Sequence, residues 1–118
     1  MTRLHHVNVT VPVGRSQPIA AFYRDVLGLA SIARPDNERA GAWLEMDDGT
    51  QLHLSERSGA PHPEQHFAVV VDDLSAVRVR LGECGAGFQP ADDVFQTGGR
   101  GFTYDPAGNR IELIAKGP

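Results

Sequence analysis

Four side chains of this sequence, His6, His53, His66 and Glu112, have the types and spacing to hold a metal ion. Three imidazoles and one carboxylate offer neutral nitrogen and hard oxygen donors. That set suits a divalent transition metal (Zn, Ni, Fe, Co or Mn) and suits Ca or Mg less well. Spacing singles these four out from the other histidines. "LHHVNVTV" at Leu4–Val11 resembles "EQHFAVVV" at Glu64–Val71, which sets His6 against His66 at an offset of 60. "DGTQLHL" at Asp48–Leu54 resembles "AGNRIEL" at Ala107–Leu113, which sets Gly49 against Gly108 and His53 against Glu112 at an offset of 59. Two matches that agree in offset within one residue indicate an internal duplication.

Side-chain alternation then assigns faces, because neighbouring residues of a strand point to opposite sides. In the first strand Val7, Val9 and Val11 share one face with His5, while His6, Asn8 and Thr10 share the other. Leu52 and Leu54 pack opposite His53; Phe67, Val69 and Val71 pack opposite His66; Ile111 and Leu113 pack opposite Glu112. All four candidate ligands therefore lie opposite an apolar row, on the first and last strands of each half. Sheets that curl towards a shared pseudo-twofold bring them together. His62 falls in a connecting segment and is expected to face solvent.

The elements that carry these residues repeat in order. A strand at Arg3–Val11 leads to an amphipathic helix, with Ser16 as N-cap, Pro18 in the first turn, Ile19, Phe22, Tyr23, Val26 and Leu27 on one stripe, and Gly28 as stop. Strands follow near Leu29–Ala33, Ala42–Met46 and Gln51–Glu56, the last two joined through Asp48-Gly49. The second half runs from a strand at Gln65–Val71 through a helix capped by Asp72-Asp73, with Leu74, Val77, Leu81 and Cys84 on its stripe. A weak strand near Gly87–Gln89 and a hairpin of Gly101–Asp105 with Asn109–Ala115 complete it. The class is α+β: one domain over residues 1–118, made of two βαβββ modules, 3–56 and 64–116, joined by Arg57–Pro63.

Bulk properties narrow the function. A net charge of −4, with no basic patch, excludes a phosphate-neutralising nucleic-acid binder. No apolar run approaches a membrane span, no apolar leader opens the chain, and Cys84 is the single cysteine; a cytoplasmic setting is expected. Register places Trp43 on the same side as the candidate ligands, with Arg100, Phe102 and Tyr104 similarly disposed. With Asn8 these are the expected substrate contacts, an aromatic wall with one arginine that suits a small anionic or carbonyl-bearing molecule.

"LHHVNVTV", "FYRDVLGL", "DGTQLHL", "HFAVVVDDL" and "YDPAGNRIEL" together resemble the vicinal oxygen chelate superfamily, over nearly the whole chain. That group includes glyoxalase I, fosfomycin-modifying thiol transferases, extradiol dioxygenases and bleomycin-binding proteins. The resemblance implies paired βαβββ modules cupped around a metal, with ligands at His6, His53, His66 and Glu112. Glyoxalase I typically has glutamate where His53 stands, so only Glu112 remains to move a proton. The implied activity is metal-dependent lyase or isomerase chemistry on a small oxygenated substrate. The alternatives are a resistance protein that binds a drug or metabolite without turnover, and a thiol transferase acting on an electrophilic antibiotic. The short linker, stiffened by Pro61 and Pro63, favours a homodimer in which each cup takes His6 and His53 from one chain and His66 and Glu112 from the other.

Overall fold

The computed structural model describes residues 1–35 and 40–118, in two compact units, Met1–Pro61 and His62–Pro118. In the first unit β1 (His6–Val11), α1 (Ser16–Leu27), β2 (Ala30–Ile32), β3 (Gly41–Glu45) and β4 (Gln51–Glu56) follow one another. The second unit repeats the order with β5 (His66–Val71), α2 (Leu74–Glu83), β6 (Gln89–Pro90), β7 (Arg100–Tyr104) and β8 (Arg110–Ala115). Each unit is thus a βαβββ module, and the class is α+β.

Strand order is the same in both sheets: β1-β4-β3-β2 and β5-β8-β7-β6. The first and last strands of each module pair in parallel; the remaining pairs are antiparallel. The parallel pairs set the two strands that carry candidate ligands side by side, with Asn8 opposite His53 and Ala68 opposite Glu112.

Strand β1 is shorter than the Arg3–Val11 expected. Its one strand neighbour among the described residues, β4, starts at Gln51, which faces His6, and Asp48–Thr50 turns the chain away just before it. A strand without a partner has no ladder to continue. The apolar rows pack as alternation predicts: Leu44, Leu52 and Leu54 are buried in the first unit, as are Ile19, Tyr23 and Val26 of α1. In the second, Val77 and Leu81 of α2 are buried with Ile111 and Leu113. Cys84 departs from the expected stripe. It is the exposed C-cap of α2, and its thiol donates to the Leu81 carbonyl at 3.3 Å.

The cap of α1 also differs from expectation. Ser16 is the first helical residue, and Arg15 occupies the N-cap position without a side-chain cap. The helix start is held from β4: Glu56 accepts from Gly14 N at 2.8 Å, Ser16 Oγ at 2.6 Å and the first helical N–H, Ser16 N, at 3.4 Å. Those hydrogen bonds, Ser16 Oγ foremost, lower the Glu56 pKa. A carboxylate at the positive end of the helix replaces the local cap and ties α1 to the sheet.

The turn before β8 is built the same way. Asp105, buried, accepts from Ala107 N and Asn109 N through Oδ1 and from Asn109 Nδ2 through Oδ2, at 2.8–2.9 Å. Gly108 supplies the positive φ of 89° that closes the turn. This bonding fixes where β8 starts, and therefore which face Glu112 occupies.

Candidate functional site

Two pairs of the expected ligands stand together, one within each unit. In the second unit His66 Nε2 lies 3.0 Å from Glu112 Oε1. His66 is placed by β5 and Glu112 by the adjacent β8. Glu112 is 5% exposed, so both carboxylate oxygens need partners. The second oxygen, Oε2, accepts from Arg100 Nε at 2.6 Å, and Arg100 Nη1 donates to the Asp92 carbonyl at 3.1 Å. Burial pushes the Glu112 carboxyl up, but the hydrogen bond and charge of Arg100, joined by His66, outweigh it and leave the pKa lowered.

His66 has acceptors on both sides. Its Nδ1 is 3.1 Å from the Glu64 carbonyl and its Nε2 is 3.0 Å from the Glu112 carboxylate. A neutral imidazole carries one N–H, so it can donate to only one of them. With Nδ1–H donated to the Glu64 carbonyl, the Nε2 lone pair faces the carboxylate and is free to coordinate a cation. Two donors on neighbouring octahedral positions of an ion with bonds near 2.1 Å stand about 3.0 Å apart. The pair fits a metal on that measure. The carbonyl on Nδ1 is the outer partner a ligating histidine usually has.

In the first unit the rings form a layer. His53 is stacked between His6 and Trp43, with centroids 4.0 Å away on each side and interplanar angles of 14° and 3°. His53 Nε2 is 2.8 Å from Gln51 Oε1, which can only accept, so Nε2 carries the proton and Nδ1 the lone pair. His6 Nδ1 lies 2.9 Å from His5 Nδ1. Among the described residues of either unit, no three His, Cys, Asp or Glu side chains gather to hold an ion. In the first unit Gln51 holds the proton-bearing edge of His53, and a metal approaching that edge has to displace it.

Burial, with lesser contributions from His6, His5 and Arg34, pushes His53 down to about 4. A histidine near 6.5 in the unfolded chain then binds its proton there first, so acid favours unfolding. In metal-stripped protein the unfolding free energy should fall as pH drops from 6.5 and level off near 4. The expected loss from this group is between about 1 and 3 kcal/mol. Urea titrations at several pH values check it; a His53→Gln protein with the same slope across that window would remove His53 as the cause.

The remaining expected residues are placed as follows. Asn8 is exposed and its Oδ1 accepts from Ser55 Oγ at 2.6 Å. Trp43 is taken up by the stack on His53. Arg100, Phe102 and Tyr104 share a face of β7, opposite the buried Gly101 and Thr103. Arg100 is committed to Glu112, and Tyr104 stands exposed. Phe102 meets His66 edge-on at 5.5 Å, with the Arg100 guanidinium 5.1 Å and the Arg110 guanidinium 3.9 Å from its centroid. His62 is exposed, and its Nδ1 accepts from Glu64 N at 3.1 Å and Gln65 N at 3.3 Å. Three residues at the site had no assigned role: Gln51, Glu64 through its carbonyl, and Arg110. Arg110 precedes Glu112 by two residues on β8, so strand alternation gives the two one face, and that is the signal available for it.

Two βαβββ modules that share one strand order define a glyoxalase-like fold. The family model for the Glyoxalase/Bleomycin resistance protein/Dioxygenase superfamily matches residues 3–113, and the chain belongs to that family. Among solved structures it is similar to a protein assigned to the glyoxalase family from Bacillus anthracis, at 26% identity and TM-score 0.85, covering 98% of this chain and 96% of that one. It is similar in fold to a mutant of the fosfomycin resistance protein FosX from Listeria monocytogenes, complexed with Mn(II) and 1S,2S-dihydroxypropylphosphonic acid (15% identity, TM-score 0.82, 98% and 93% coverage). A third likeness is to TnmS3, an antibiotic binding protein from a Streptomyces species (22%, 0.73, 98% and 98%). No curated protein matches the sequence. Among the described residues no helix is long and apolar enough to cross a membrane.

Proposed function

We propose that the protein is a metal-dependent enzyme of the vicinal oxygen chelate type, acting on a small oxygenated substrate by lyase or isomerase chemistry. His6, His53, His66 and Glu112 would hold a divalent transition metal. The observation that carries this reading is the imidazole of His66, set with the Glu64 carbonyl at Nδ1 and the Glu112 carboxylate at Nε2, which turns a nitrogen and an oxygen donor towards one another on adjacent strands. Its counterpart pair, His6 and His53, occupies the matched strands of the other module.

A metal bound there supplies Lewis acidity towards two neighbouring substrate oxygens. The chain's own residues do the rest. Arg100 holds Glu112 Oε2 and leaves Oε1 turned to His66. Glu112 is the group assigned the proton, which it can take on Oε1 once that oxygen is released. The layer of Trp43, His53 and His6 gives the substrate a flat wall. Two chains completing each other's cups, in a cytoplasmic homodimer, belong to the same reading; the stiff linker with Pro61 and Pro63 supports it.

The same aromatic layer favours a second reading, a binder that sequesters a flat ligand without turnover. Elemental analysis of protein as purified separates the two. The enzyme reading expects close to one transition metal per chain, and loss of turnover on chelation across a panel of 2-hydroxycarbonyl compounds. Sedimentation equilibrium of the same sample expects a dimer. Metal-free protein that also takes up no added Mn(II), Zn(II), Co(II), Ni(II) or Fe(II) would leave the binder.

A further inference from the structure

Arg110 is the cation of the second unit's cluster whose charge no described residue answers. Arg100 is neutralised by Glu112 at 2.6 Å. Arg110 precedes Glu112 by two residues on the same face of β8, yet no carboxylate among the described residues pairs with it. Its Nε is shut away from solvent without a hydrogen-bond partner. A long basic side chain on a surface ordinarily runs out to water. Here the guanidinium lies over the Phe102 ring, 3.9 Å from the centroid.

Stacking of this kind offsets part of the cost of a half-buried charge and holds the planar fork in one place. Pre-ordering lowers the entropy lost when a ligand is gripped. Register puts Arg110 between His66 on β5 and Tyr104 on β7. Tyr104 is exposed and offers a hydroxyl and an apolar ring edge to the same space.

We propose that Arg110, stacked on Phe102, binds the carboxylate of a small substrate and sets the rest of that molecule over the His66–Glu112 pair. One uncompensated positive charge matches a monoanion. A phosphate dianion asks for a second cation, and Arg100 is already paired. Residues i and i+2 of a strand are about 7 Å apart. The ligand therefore carries its reacting oxygens a few bonds from its carboxylate. The reacting end of this assignment rests on the metal reading above; the carboxylate end does not.

Benzoate, with benzamide as its uncharged isostere, is the probe. Arginine Nε–H resonances in 15N spectra report which guanidinium responds, and Mn(II) uptake is measured on the same samples. Benzoate should shift Arg110 Nε–H and bind at least about tenfold more tightly than benzamide. Arg110→Met keeps an apolar stem on Phe102, should lose about tenfold or more in benzoate affinity and should still take up Mn(II) as the parent does. Arg110→Lys should recover part of the benzoate affinity. Equal binding of benzoate by the parent and a folded Arg110→Met protein overturns the proposal, as does a response confined to Arg100. A parent that binds benzoate through Arg110 but takes up no metal overturns the metal reading alone.

Discussion

Replacing His66 by alanine is expected to lower metal affinity by roughly 100-fold or more, since loss of an outer partner alone typically costs 10–100-fold. The substitution removes the imidazole that faces Glu112 Oε1 at 3.0 Å. It also leaves that oxygen, in a carboxylate 5% exposed, without its histidine. His62→Ala is the control. It removes an exposed ring whose Nδ1 accepts from Glu64 N and Gln65 N, so it loosens the turn into β5 and costs about 0.5–1.5 kcal/mol of stability. It touches no expected ligand, and metal affinity should stay within about twofold. The two variants then separate stability from ligation. Competition titration against a chelator of known affinity measures both. A similar fall in affinity from both would show that metal uptake follows the integrity of the β5 entry and not the donors of His66.

How much of this was legible beforehand follows from the range of each interaction. The faces of His6, His53, His66 and Glu112 were readable because a strand's period of two needs no knowledge of its partners. The matched offsets pointed to the same order of elements in both halves, and the two sheets share one strand order. Most of what escaped depends on residues far apart in sequence, and the rest on where an element ends. Ser16 reads as an N-cap from its neighbours alone. The group that takes the helix terminus is Glu56, 40 residues further on. Cys84 fits a helical stripe by spacing, but the helix ends at Glu83 and turns the thiol back to Leu81. Arg100 reads as a free cation for a ligand until β7 and β8 pair and bring it to Glu112. Its place as the unanswered charge passes to Arg110, which alternation alone could not distinguish from any other solvent-facing residue. Asp105 and Asn109 belong to "YDPAGNRIEL", one of the stretches that carry the family resemblance, and their work is to build a turn, so that motif specifies register as much as chemistry.

Glu112→Gln carries the other large effect, and it reaches stability and turnover by different routes. The amide keeps the shape and an acceptor oxygen, but it has no charge to set against Arg100, whose side chain is 18% exposed. Breaking a buried pair leaves an uncompensated charge; with Arg100 only partly shielded, a loss of about 1–3 kcal/mol is expected at pH 7. The pH dependence has a definite sign. A carboxyl whose pKa is lowered on folding stabilises the fold above its unfolded pKa of 4.5, and that contribution is lost as pH falls through the folded value. The difference between parent and Glu112→Gln should therefore shrink as pH falls below 4.5. Adding Arg100→Met to Glu112→Gln removes the stranded cation and should restore part of the stability, so the two changes are not additive. Turnover should not recover in that double variant. If Glu112 is the group that takes the proton, the glutamine protein loses on the order of 10²–10⁴ in rate while retaining more of its metal than His66→Ala does, because an amide oxygen coordinates weakly but accepts no proton. Full activity in the glutamine protein would place the proton on another group, and a rate that returns with Arg100→Met would show that the arginine's stranded charge, and not the missing base, had stopped the reaction.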